Sequence, residues 1–79
     1  NLYFKTKGRT LDLDKYRKLH LLLKDANQKV LVHSQESFAS IMDHLNEDKF
    51  IMLFELENNL YLPCAINTED IIAISRVED

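Results

Sequence analysis

Three histidines, one cysteine, three serines spaced by three and the acid pairs Glu47-Asp48 and Glu69-Asp70 are residues of this chain that carry the types needed for metal binding or catalysis. His44 stands with Asp43 and Glu47 in a stretch that reads as helix, where residues three and four apart share a surface. Imidazole and carboxylate are metal-ligating groups, but a metal centre also needs ligands converging from several elements with hydrogen-bonded support behind them. His20 and His33 lie in other segments, so a solvated helix face is the simpler reading and no metal or cofactor is expected. Cys64 as a nucleophile needs a base in reach and a lowered pKa. Between Pro63 and Ala65 in an apolar run it reads as an inert thiol. Ser34, Ser37 and Ser40 fall at the start of a helix and suit capping and surface roles. Glu47-Asp48 and Glu69-Asp70 sit beside turns, where solvated charge is expected. A single glycine leaves no Gly-rich phosphate loop. The expectation is a protein that is not an enzyme, with no catalytic residue.

Charge is distributed unevenly. Residues 1–33 carry eight basic groups against three acids, a net of +5, and residues 34–79 carry two against ten, a net of −8. Such asymmetry between halves points to a charged partner or to contact between opposite ends of two copies. For a nucleic acid, the basic set is Lys5, Lys7, Arg9, Lys15 and Lys18, with Tyr16 available for base stacking. An overall charge of −3 works against a polyanion, so nucleic-acid binding is the alternative expectation.

The elements that position these groups follow from pattern. Leu2 to Thr6, Lys7-Gly8 and Arg9 to Leu13 read as a hairpin turning at the only glycine. The first four residues, NLYF, coincide with the middle of a common protease-site tag, although Lys5 stands where that tag has Gln; they carry no functional weight. Over Asp14 to Ala26, Tyr16, Leu19, Leu22/Leu23 and Ala26 recur at helical spacing, with Asp12 or Asp14 as cap. A rival reading makes Lys18 to Lys24 a strand that turns at Asp25 to Gln28 and pairs with Lys29 to His33. The run Leu21-Leu22-Leu23 spoils strict alternation, and the helix is preferred.

Val30 to Val32 is a short β-branched strand. Ser34 caps a second helix over Gln35 to Leu45, where Phe38, Ile41, Met42 and Leu45 form one apolar stripe. Lys49 to Val77 reads as a three-stranded antiparallel meander. Its turn at Asn58-Asn59 suits the positive φ of a type I′ hairpin and pairs Glu57 with Leu60, Leu56 with Tyr61, Phe54 with Pro63 and Met52 with Ala65. Pro63 removes a ladder donor and marks an edge or a bulge. Both faces of the meander are apolar, which calls for cover on both sides: helices on one, and the N-terminal hairpin, barrel-like curling or a second subunit on the other.

Size and composition set the limits. Seventy-nine residues make one domain, and a chain this short buries only roughly 60–65% of the surface its unfolded form exposes. One cysteine excludes an internal disulfide, so self-association is an available way to bury more. The lone thiol fits a reducing compartment, no apolar run approaches the roughly 18 residues of a membrane helix, and a cytoplasmic location is expected. The fold expected is α+β: hairpin, helix, short strand, helix, three-stranded meander. The function expected is a small non-catalytic protein-interaction or assembly module, a homodimer meeting through Ile51, Leu53, Leu60, Leu62 and Ile66. In size and acidity it also resembles bacterial and phage accessory proteins.

Overall fold

The structure is a computed structural model that describes Lys5–Thr6, Arg9–Thr10 and residues 15–78. In chain order its elements are β1 (Lys5–Thr6), β2 (Arg9–Thr10), β3 (Arg17–Leu23), β4 (Val30–Ser34), α1 (Phe38–Glu47), β5 (Phe50–Glu57), β6 (Leu60–Asn67), a 3₁₀ turn (Thr68–Asp70) and β7 (Ile71–Arg76). The two short strands pair antiparallel, Lys5 with Thr10 and Thr6 with Arg9, as an N-terminal hairpin requires. Its expected outer residues and its Lys7-Gly8 turn lie outside the described residues.

The remaining strands form one five-stranded antiparallel sheet in the order β6-β5-β4-β3-β7. This corrects the expected fold twice. First, Asp14 to Ala26 holds no helix among its described residues: Arg17–Leu23 is a central strand, and α1 is the single α-helix described. Leu19 and Leu21 are buried on one face while His20 and Leu22 take the other, so alternation is present and only the half-buried Leu22 disguises it. A turn with Asp25 at φ 67° returns the chain into β4, and β3 pairs with β4 on one side and β7 on the other. Ladders on both edges outweigh a weak helical preference. Second, the last strand does not pair beside β6. It crosses to the far edge and pairs with β3, with a register shift between Leu22 and Leu23.

That crossing requires the sheet to curl. In a flat sheet the outer of five strands lie about 19 Å apart, four spacings of about 4.8 Å. Asn67 to Ile71 can span at most about 14 Å even when fully extended, and three of the intervening residues are wound into a 3₁₀ turn. The turn also joins both ends of the curl. Thr68 N–H donates to the Lys49 carbonyl at the head of β5, and Lys24 N–H donates to the Asp70 carbonyl at the end of β3. Asn67 Oδ1 caps the turn by accepting from Glu69 N–H at 2.9 Å.

The concave face holds the core. Leu19 and Leu21 of β3, Val32 of β4, and Ile51 and Leu53 of β5 meet Ile41 of α1, all almost fully buried, with Phe38, Leu45, Cys64, Ile66, Ile71 and Ile74 packed around them. The helix runs over Phe38–Glu47, with Ser37 as its cap: the Ser37 hydroxyl accepts from Ser40 N–H at 3.1 Å. Ser34, expected in that role, accepts instead from Glu36 N–H in the preceding turn. Met42, counted in the apolar stripe, is exposed. The β5–β6 register matches the expected one at every pair, and Asn58 and Asn59 take φ of 51° and 66°. No helix among the described residues is long and apolar enough to cross a membrane.

Candidate interaction surface

Alternation along β5 and β6 divides their side chains cleanly. Ile51 and Leu53 point into the core, and the same face continues beyond it as Glu55 and Glu57. The convex face carries Phe50, Met52, Phe54 and Leu56, opposite Asn67, Ala65, Pro63 and Tyr61 on β6. None of these eight residues is charged, in a hairpin whose other face carries two carboxylates.

The two ends of this convex face are treated differently. At the Phe54 end, Tyr16 lies directly on Tyr61, ring centroids 3.8 Å apart and planes within 12°, and meets Phe54 edge-on at 5.3 Å. His33 of β4 meets Tyr61 edge-on at 5.2 Å. The two edge-to-face pairs are of the kind favoured by the ring quadrupole, and the segment entering β3 thereby covers the middle of the convex face. At the other end nothing described covers Phe50 or Met52, which are 54% and 58% exposed. With Pro63 and Ala65, also exposed, they form an apolar patch beside an edge strand.

Of the residues expected to form the interface, Ile51 and Leu53 lie in the core and Ile66 packs against it, while Leu60 and Leu62 are 62% and 41% exposed near the hairpin tip. The fold therefore does not bring those five to one accessible surface. Sequence pattern identified two apolar faces; which one turns inward depends on the curl. Of the basic set, Lys15 is exposed and Lys18 half-buried, Lys5 and Arg9 lie in opposite strands of the N-terminal hairpin, and Lys7 lies outside the described residues. The Tyr16 ring has one face taken by Tyr61, leaving at most its other face for a base.

The residues with chemical potential are dispersed. His44 Nδ1 lies 2.6 Å from Asp48 Oδ2 and its Nε2 lies 2.9 Å from Glu36 Oε1; Asp43 and Glu47 are not its partners. Hydrogen bonds to Asp48 and then Glu36 raise its pKa above the ordinary 6.5, since both carboxylates favour the imidazolium. Ser40 Oγ also donates to Glu36 Oε1, so Asp48, His44, Glu36 and Ser40 form a chain of surface hydrogen bonds along α1. Burial pushes the Cys64 thiol up, and the nearby Glu55 adds to the shift, which keeps it protonated at neutral pH. No group of three metal-ligating side chains occurs among the described residues.

A second concavity, not signalled by any motif, opens where β4 and β5 part. The two strands pair at one position, His33 with Phe54, and beyond it a groove of about 510 Å³ is lined by Lys18, Leu31, His33, Glu55, Leu56 and Glu57. Compared with family models, curated proteins and solved structures, the chain matches none of them.

Proposed function

We propose that this chain is a small assembly module that works by surface contact and self-associates through the convex face of the β5–β6 hairpin. The observation that carries the reading is the open patch of Phe50 and Met52, each more than half exposed, on a face free of charge. In a two-fold contact each patch meets its own copy, so an uncharged face is the part of an acidic chain that can meet itself without repulsion. Pro63 on the edge strand β6 discourages strand-to-strand extension and favours packing face to face.

Sedimentation equilibrium over a concentration series tests the reading. The wild-type chain is expected to dimerise, and Met52→Lys, at an exposed position, is expected to stay monomeric with its fold intact by circular dichroism. A wild-type chain that remains monomeric into the millimolar range overturns it.

A further inference from the structure

We infer that the groove between β4 and β5 receives an extended basic peptide, with the stem of a Lys or Arg side chain lying between Leu31 and Leu56 and its cation at Glu55 and Glu57. This goes beyond self-association: the groove borders the convex face at Leu56, but its lining does not include Phe50 or Met52.

Three independent features converge there. The first is backbone. An antiparallel pair normally exchanges hydrogen bonds along its length, but β4 and β5 share the single position His33–Phe54. The strands flanking the groove are therefore not paired to each other through Val30–Val32 and Glu55–Glu57, and an extended segment laid there has strand backbone on both sides, as in recognition by strand addition.

The second feature is charge. Glu55 and Glu57 are both exposed. The groove lining holds these two carboxylates against one ammonium, that of Lys18, so its complement is a cation. Leu31 and Leu56, each 46% exposed, offer apolar walls of the kind that the methylene stems of Lys and Arg cover.

The third is a polar atom without a partner. His33 is 3% exposed and lines the groove, yet its Nδ1 is buried with no hydrogen-bond partner. Buried polar atoms are nearly always satisfied. A peptide backbone group in the groove supplies what is missing, an N–H or a carbonyl according to the imidazole tautomer. A volume of about 510 Å³ is within the range of sites that hold a short segment or one large side chain.

The test is an amide chemical-shift titration of the full chain with two capped hexapeptides, one alternating Val and Lys, the other alternating Val and Glu. Using Met52→Lys as the background keeps the result separate from self-association. The Lys peptide is expected to shift Leu31, His33 and Glu55 to Glu57, and the His33 ring nitrogen with them, while the Glu peptide does not. Binding is expected to weaken about five- to tenfold in Glu55→Gln/Glu57→Gln, the scale of two exposed ion pairs. Glu55→Lys/Glu57→Lys is expected to reverse the preference. Equal response to both peptides, or none at millimolar peptide, overturns the inference. Shifts at the same residues on concentrating the chain alone also overturn it, because they give the groove to a second copy.

Discussion

Along β5 both faces of the sheet carry apolar residues, Ile51 and Leu53 on the concave side and Phe50, Met52, Phe54 and Leu56 on the convex side, yet they are finished by different means. The concave face is closed by curvature and by one helix: the 3₁₀ turn draws β6 and β7 toward each other, and Ile41, Phe38 and Leu45 of α1 pack against the residues so enclosed. The convex face has no layer of its own. Tyr16 covers its middle through contacts with Tyr61 and Phe54, and beyond that ring Phe50 and Met52 meet solvent. Apolar pattern marks a surface that needs cover, and the topology decides whether the chain supplies it. Where it does, the residues are structural; where it stops, they are available for a partner.

That contrast can be broken at several points. Leu53→Ala acts on the concave face and has the largest expected effect. Removing a fully buried leucine costs about 2–5 kcal/mol, against a total stability of roughly 4–12 kcal/mol for a domain of this size. Urea denaturation is expected to show the midpoint falling by a third or more, or the chain failing to fold. A loss below 1 kcal/mol would mean that the concave face is not the core.

Tyr16→Ala probes the partial cover of the convex face. Stacked and edge-on ring contacts contribute about 0.5–1.5 kcal/mol beyond burial, so a loss of about 1–3 kcal/mol is expected, with a change in the near-ultraviolet tyrosine signal. Because the substitution also uncovers Phe54 and Tyr61, self-association is expected to strengthen. Weaker association would place the interface on Tyr16 itself.

The His44 chain of hydrogen bonds lies outside both faces and is expected to matter least among the stabilising contacts. Its raised pKa means that the folded state holds the proton more tightly than the unfolded chain. The stability it contributes is therefore fully present below about pH 6.5 and is lost as pH rises through the higher folded value. The group is substantially exposed, so the effect is expected to stay below about 1 kcal/mol. His44→Gln is expected to flatten the dependence of the urea midpoint on pH between 6 and 8. A wild-type midpoint that rises over that interval contradicts the assigned sign. Met52→Lys, on the open part of the convex face, is expected to leave stability within about 0.5 kcal/mol of wild type while abolishing self-association.

How much of this was legible depended on the range of the contact. The β5–β6 hairpin was readable to the residue because Asn58-Asn59 fixes a two-residue turn and the turn fixes the register. The helix Phe38–Glu47 was readable from its stripe, with its start displaced from Ser34 to Ser37 because either serine satisfies a free N–H locally. The strand at Arg17–Leu23 reads as helix because Leu19, Leu22 and Leu23 fall at helical spacing, while Leu19, Leu21 and Leu23 in the same run fall at the strand period. The pairing partners choose between them: β4 across a short turn, and β7 far away in sequence. The groove at His33 had no local signal, since its two walls lie more than twenty residues apart.

By itself the sequence determined a small α+β chain with strong hairpin signals, one clear helix, polarised charge and more apolar strand surface than one layer can hide. Those are properties of neighbouring residues, fixed by backbone preference, turn chemistry and side-chain period. Tertiary structure alone decided that β7 crosses to β3, that the sheet curls, and hence that Ile51 and Leu53 are core while Phe50 and Met52 are surface. The physical reason is that a period of two assigns residues to opposite faces without saying which face turns inward. Curvature, set here by a three-residue crossing between the two edges of the sheet, makes that choice.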